Sequence, residues 1–152
     1  MGENVRNMFI GGYDYNLDSK GRLVIPSKFR NEIGNDTSVY LTKGFDGCIS
    51  IYKEQDFQNM IARYQSQSFE KEKVRKTLRI FLDSVIQLNV DSQGRILLPT
   101  KTLEAYQIGS KVHLIGLLDH FEIWDFDKWE KSKEESNSEF ELNAENIFEN
   151  EK

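Results

Sequence analysis

The sequence predicts an α+β, mainly β fold made from one module used twice, and three observations carry that expectation. Asn16-Leu17-Asp18-Ser19-Lys20-Gly21-Arg22-Leu23-Val24-Ile25-Pro26-Ser27-Lys28 recurs as Asn89-Val90-Asp91-Ser92-Gln93-Gly94-Arg95-Ile96-Leu97-Leu98-Pro99-Thr100-Lys101, 73 residues on, with 7 of 13 positions identical. The match continues through Val39-Tyr40-Leu41 against Val112-His113-Leu114. After one dropped residue it resumes as Ile49-Ser50-Ile51-Tyr52 against Phe121-Glu122-Ile123-Trp124. Within each copy, short alternating segments are separated by turn chemistry, the pattern of strands rather than long helices.

Taken in order, Met1 to Asn7 lack the apolar stretch of a signal peptide and read as an N-terminal extension, 1–7. The first module spans 12–54. Tyr13 to Leu17 alternates as a strand, Asp18-Ser19-Lys20-Gly21 turns, and Arg22 to Ile25 resumes a strand, which predicts a hairpin. Pro26 opens a short helix from Lys28 to Ile33, stopped by Gly34. A second hairpin, Val39–Thr42 with Cys48–Tyr52, forms around Gly44-Phe45-Asp46-Gly47.

A helical linker, 55–82, follows. Phe57, Met60, Ile61 and Tyr64 fall on one face of a first helix. Val74, Leu78, Phe81 and Leu82 mark a second, with Lys71, Lys73, Arg75, Lys76 and Arg79 on a solvated face. The second module, 83–126, repeats the first, with Gly109 as its helix stop. The region 127–152 is a C-terminal helix and acidic tail.

Charge narrows the function classes. The chain of 152 residues carries a net −5. Glu130 to Lys152 alone holds eight acidic residues against three lysines, so the rest is neutral. The acidity belongs to a tail expected as frayed helix or disorder. No apolar run approaches the roughly 20 residues that span a bilayer, so no membrane partner is expected. A lone cysteine, Cys48, forbids an internal disulfide and fits the cytoplasm.

Catalytic apparatus is not evident. His113 and His120 lie in the two strands of one hairpin without the further ligands a metal needs. Cys48 reads as a packing residue, and Gly11-Gly12 opens no phosphate-binding helix. No enzyme activity, small-molecule substrate, metal or cofactor is expected.

What recurs is Asp-x-x-Gly-Arg in a turn: Asp18 with Arg22, and Asp91 with Arg95. Each loop either presents an arginine to a duplex, with Lys20 or Gln93 beside it, or pins its own turn through the Asp–Arg pair. The two readings are compatible. Arginine's planar fork suits phosphates and the guanine edge, and a two-stranded ribbon can enter the major groove. Lys28 and Lys101, one turn into each short helix, are candidate phosphate contacts or solvent-facing lysines. One module is too small to bury its own apolar face, so two related by a pseudo-twofold would interlock their hairpins into a barrel. Assembly would repeat the loops, with an avidity gain of roughly 10²–10⁴ on repeated DNA boxes.

Met8-Phe9-Ile10-Gly11, Asp18 to Pro26, Gly44 to Cys48, Asp91 to Pro99, and Leu114-Ile115-Gly116 with Glu122-Ile123-Trp124-Asp125 resemble the MraZ family. These are bacterial transcriptional regulators encoded at the head of the division and cell-wall gene cluster. The resemblance runs from Met8 to Trp129, stops before the acidic tail, and departs from the family at Asp83-Ser84, where Ser-Gly is expected. It implies tandem swapped-hairpin AbrB-like modules, a double-split β-barrel and a ring-shaped homo-oligomer, octamer-like or larger. It also implies binding to direct repeats of double-stranded DNA upstream of its own operon, in the nucleoid. The family's DNA-contacting signature falls on Asp18 and Arg22 and on Asp91 and Arg95. The alternative class is an AbrB-like protein-interaction module, antitoxin-like, acting through the acidic tail.

Overall fold

The computed structural model describes residues 8–149, so the expected extension 1–7 lies outside them. Its strands are β1 Phe9–Asn16, β2 Arg22–Val24, β3 Ser38–Lys43, β4 Ile49–Lys53, β5 Ile86–Asn89, β6 Arg95–Leu97, β7 Lys111–Leu118 and β8 Phe121–Asp125. Its helices are α1 Ser27–Ile33, α2 Glu54–Gln65, α3 Glu72–Ser84, α4 Thr100–Ala105 and α5 Phe126–Glu149.

Strand pairing follows the repeat. Six strands form one antiparallel sheet in the order β1-β7-β8-β4-β3-β5, and β2 pairs with β6 in a separate ladder. Exchanging each strand with its equivalent in the other copy leaves that order unchanged. The symmetry extends to register: Leu23 lies opposite Ile96, and Ser50 opposite Glu122, each pair being equivalent positions of the repeat. A pseudo-twofold therefore runs through both ladders.

The structure departs from these expectations at several places. The predicted hairpin of Tyr13–Leu17 with Arg22–Ile25 does not form a ladder: β1 pairs with β7 and β2 with β6. Each strand pairs with a strand of the other module, and within the turn the only backbone–backbone bond between β1's end and β2 runs from the Asp18 amide to the Arg22 carbonyl (3.1 Å). Nor is a closed barrel formed, because β1 and β5 are the ends of the six-strand order. Gly109 does not stop the helix. α4 ends at Ala105, where the Gln107 amide bonds the Glu104 carbonyl and the Ile108 amide the Leu103 carbonyl, with Gln107 at φ 54°. Gly109 instead donates to Asp125 Oδ1 at 2.9 Å. Finally, His120 lies in the turn between β7 and β8, not in a strand.

The core sits between the large sheet and the β2–β6 ladder. Leu23, Ile25, Ile96 and Leu98 pack there with Val39, Leu41, Ile49, Ile51, Val112, Leu114 and Ile123. Phe29 of α1 closes it, with ring centroids 5.4 Å from Phe9 and 4.9 Å from Phe121. Cys48 is fully buried and its thiol donates to the Phe45 carbonyl. Burial pushes its pKa up, which makes it a poor nucleophile at neutral pH.

Among the residues of the linker helices, Phe57 and Phe81 are buried. Leu82, expected on α3's apolar face, is exposed. At the family departure, the Ser84 hydroxyl donates to the Phe81 carbonyl (2.5 Å) and accepts from the Lys43 amide (2.9 Å), tying α3 to β3.

Of the two expectations for the tail, frayed helix or disorder, the helix is what forms, continuous from Phe126 to Glu149. Trp129 anchors its start, stacked on His113 at 4.9 Å and edge-on to Trp124 at 5.6 Å. Beyond Ser132 its residues are exposed except half-buried Ala144.

Candidate nucleic-acid interface

Each Asp-x-x-Gly-Arg segment closes a tight turn whose glycine takes positive φ, 86° at Gly21 and 74° at Gly94, a conformation that penalises a β-carbon. Asp18 Oδ1 accepts from the amides of Lys20 (2.9 Å) and Arg22 (2.8 Å), and Oδ2 accepts from Arg22 Nε at 2.6 Å. Asp91 does the same with Gln93 (2.9 Å), Arg95 (2.8 Å) and Arg95 Nε (2.8 Å). The Arg22 amide, followed by the Arg22 guanidinium and the Lys20 amide, holds the Asp18 carboxyl at about 2. Asp91 is lowered by the equivalent donors, the Arg95 amide first. Both carboxylates are therefore ionised at neutral pH, and both turns stay pinned.

Pinning uses one edge of each guanidinium. The terminal amino groups of Arg22 and Arg95 make no hydrogen bond among the described residues. Both side chains are partly exposed, Arg22 by 33% and Arg95 by 26%.

The β2–β6 ladder decides where those free edges sit. Leu23 and Ile96 point into the core, so strand alternation sends Arg22, Val24, Arg95 and Leu97 outward. Arg22 is opposite Leu97 and Arg95 opposite Val24. The two arginines are thus diagonal neighbours on one face, roughly 7–8 Å apart at the backbone. The other diagonal is aliphatic, with Val24 47% and Leu97 53% exposed. The modules also lock at this point: the Ile25 amide bonds the Gly94 carbonyl (2.9 Å) and the Leu98 amide the Gly21 carbonyl (3.0 Å).

Lys20 and Gln93 are exposed at the turn tips, beside the arginines. Lys28 and Lys101 are exposed on the first turns of α1 and α4, away from the ladder itself. The ladder and its turns thus gather six of the eight expected residues, and the two lysines stand outside them, each on its own short helix. Sequence reading missed Val24 and Leu97, although inward Leu23 and Ile96 imply their direction. It also missed Arg30, which lies against the second turn. Its signal was a break in the repeat, where Leu103 is the equivalent residue.

His113 bonds Asp14 at 2.7 Å and His120 bonds Asp119 at 2.7 Å. Among the described residues no three His, Cys, Asp or Glu side chains converge on a metal position. No described helix is long and apolar enough to cross a membrane.

A protein-family model described as "MraZ protein, putative antitoxin-like" matches the chain twice, over residues 8–80 and 81–150. The second match runs through α5, past Trp129, so the likeness to the family includes the acidic tail up to residue 150. A transcriptional regulator MraZ from Pediococcus pentosaceus is 33% identical over 141 residues, covering 93% of this chain and 97% of that protein. The protein of the same name from Finegoldia magna is 36% identical, covering 85% and 89%. That from Dictyoglomus thermophilum is 38% identical, covering 86% and 88%.

Proposed function

The chain belongs to the MraZ family of transcriptional regulators, and from that premise we propose that it binds DNA sequence-specifically as a homo-oligomer through the β2–β6 face. One observation carries the reading: two Asp-clamped arginines, one from each module, stand side by side on an exposed ladder with their terminal amino groups free. Arg22 and Arg95 are the principal contacts, oriented by Asp18 and Asp91. Lys20 and Gln93 assist them, and Lys28 and Lys101 clamp phosphates.

The DNA partner is a set of direct repeats upstream of the protein's own operon in the division and cell-wall cluster, within the cytoplasm and nucleoid. The module pair is of the swapped-hairpin AbrB-like kind, a reading supported by the cross-module pairings β1–β7, β5–β3 and β2–β6. Ring assembly is supported by uncovered apolar surface. A groove of about 520 Å³ lies among Phe45, Tyr64, Ile80, Phe81 and Leu117. On α5, Phe140, Ala144, Ile147 and Phe148 share one face that is largely exposed among the described residues.

The test is DNA affinity across a salt series, with the region upstream of the protein's own gene and a scrambled duplex as probes. Arg22→Ala and Arg95→Ala should each cost about 1–3 kcal/mol on the upstream fragment and relax discrimination. If both variants bind as wild type does, or wild type cannot tell the two duplexes apart, the reading is wrong. A second reading, a partner-binding antitoxin-like module, is favoured by the largely exposed face of α5 and predicts that activity resides there.

A further inference from the structure

The two loops agree at Asp, Ser, Gly and Arg, but two basic residues of the first copy, in its loop and its short helix, are missing from the second. Gln93 stands where the first copy has Lys20, and Leu103 stands where it has Arg30. In the fold these two breaks meet, because each loop is packed by the short helix of the other module. A β-carbon added to Gly21 would stand 3.5 Å from Leu103 Cδ1. One added to Gly94 would have no room at all, because the Arg30 guanidinium already lies against that glycine. The loop with its own lysine therefore has an aliphatic neighbour. The loop with a neutral glutamine has a guanidinium neighbour.

Arg30 is exposed and takes part in none of the ion pairs among the described residues. Asp36 and Asp91 line the same cleft, yet neither is paired with it. Arg22 and Arg95 each spend Nε on a carboxylate. Arg30 is held by packing on a glycine, and no side-chain hydrogen bond of its guanidinium is formed among the described residues, which leaves its donors available.

We infer that Arg30 is a phosphate contact of the DNA-facing surface, supplying to the second loop, from the opposite module, the charge that Lys20 supplies to the first. Each half of the interface then carries two basic groups: Lys20 with Arg22, and Arg30 with Arg95. This rests on the DNA-binding reading above and adds a residue to it. It also makes chemical sense of Gly94, where any side chain would displace the guanidinium from the loop.

The experiment uses the full chain in a salt series on the upstream and scrambled duplexes. Arg30→Leu copies the residue that the second module carries, and Gln93→Lys copies the first loop. R30L should lower the slope of log affinity against log salt by about 0.9, the signature of one lost phosphate contact. It should weaken both duplexes by the same factor, and R30L/Q93K should recover the wild-type slope. Arg30→Gln, which keeps the polar stem without the charge, should reproduce the R30L slope even if R30L folds poorly. If R30L and R30Q lower only the melting temperature and keep the wild-type slope, Arg30 is a packing residue and the inference falls alone. Wild type and R22A separate the two failures: a wild type that does not discriminate the upstream duplex removes the DNA-binding reading and this one with it.

Discussion

Asp18 and Asp91 each accept two backbone amides and one guanidinium Nε, so turn and arginine share one anchor. The sequence left presenting and pinning open, because Asp-x-x-Gly-Arg spacing is compatible with both. The pinning is now visible, and it consumes Nε alone. Its pH dependence follows from the sign of the shift. A carboxylate whose pKa falls from 3.8 to about 2 on folding contributes stability above pH 4 that is lost as pH drops towards 2. Asp18→Asn should therefore lower the melting temperature at neutral pH and flatten its decline between pH 4 and 2. Thermal melts across that window check it, and an unchanged acid slope in the variant would contradict the role. The buried, hydrogen-bonded Cys48 gives a companion expectation: it should resist alkylation at pH 8 in the native protein and react once the chain is unfolded.

Among the elements, β1 and β7 come into tight contact at Gly116, which lies opposite Gly11 in register and against the Phe9–Ile10 peptide. A β-carbon on Gly116 would stand 2.5 Å from the Ile10 nitrogen and the Phe9 carbonyl carbon, both backbone atoms that cannot swing away. Gly116→Ala should therefore push the start of β1 off the sheet, at a cost of about 1–3 kcal/mol. Gly12→Ala is the control, since its β-carbon meets first the His113 ring, at 3.1 Å. Chemical denaturation of the two variants compares them, and equal losses would mean that the approach of Gly116 to the Phe9–Ile10 backbone does not matter. The β3–β4 hairpin around Gly44-Phe45-Asp46-Gly47 was legible because its turn is local, with Asp46 at φ 64° and Gly47 at φ 88°. The β1–β2 hairpin was misread for the complementary reason. Alternation identifies a strand and its buried face, but the partner across the ladder can come from 73 residues away, and no local signal distinguishes the two.

For the whole molecule, the net acidic charge is segregated onto α5, which is anchored at Trp129 and whose residues beyond Ser132 are almost all exposed. Deleting Ser132 to Lys152 keeps Trp129 and removes the net −5. The truncated chain should keep its preference for the upstream duplex over the scrambled one. Abolished binding with an intact melting transition would move the function to α5 and favour the antitoxin-like reading. Light scattering on the same sample shows whether the apolar face of α5 contributes to assembly, through a fall in particle mass.

By itself the sequence determined the duplicated module, the order of its strands and helices, the two Asp–Arg turns and the family. All of these depend on residues close together along the chain or on likeness between its own two halves. Tertiary structure decided which strands pair, that both arginines share one outward face, that the sheet stays open at β1 and β5, and that Arg30 reaches the loop of the opposite module. Those outcomes depend on contacts between distant segments, where burial of Leu23 against Ile96 outweighs any local preference and local spacing carries no information.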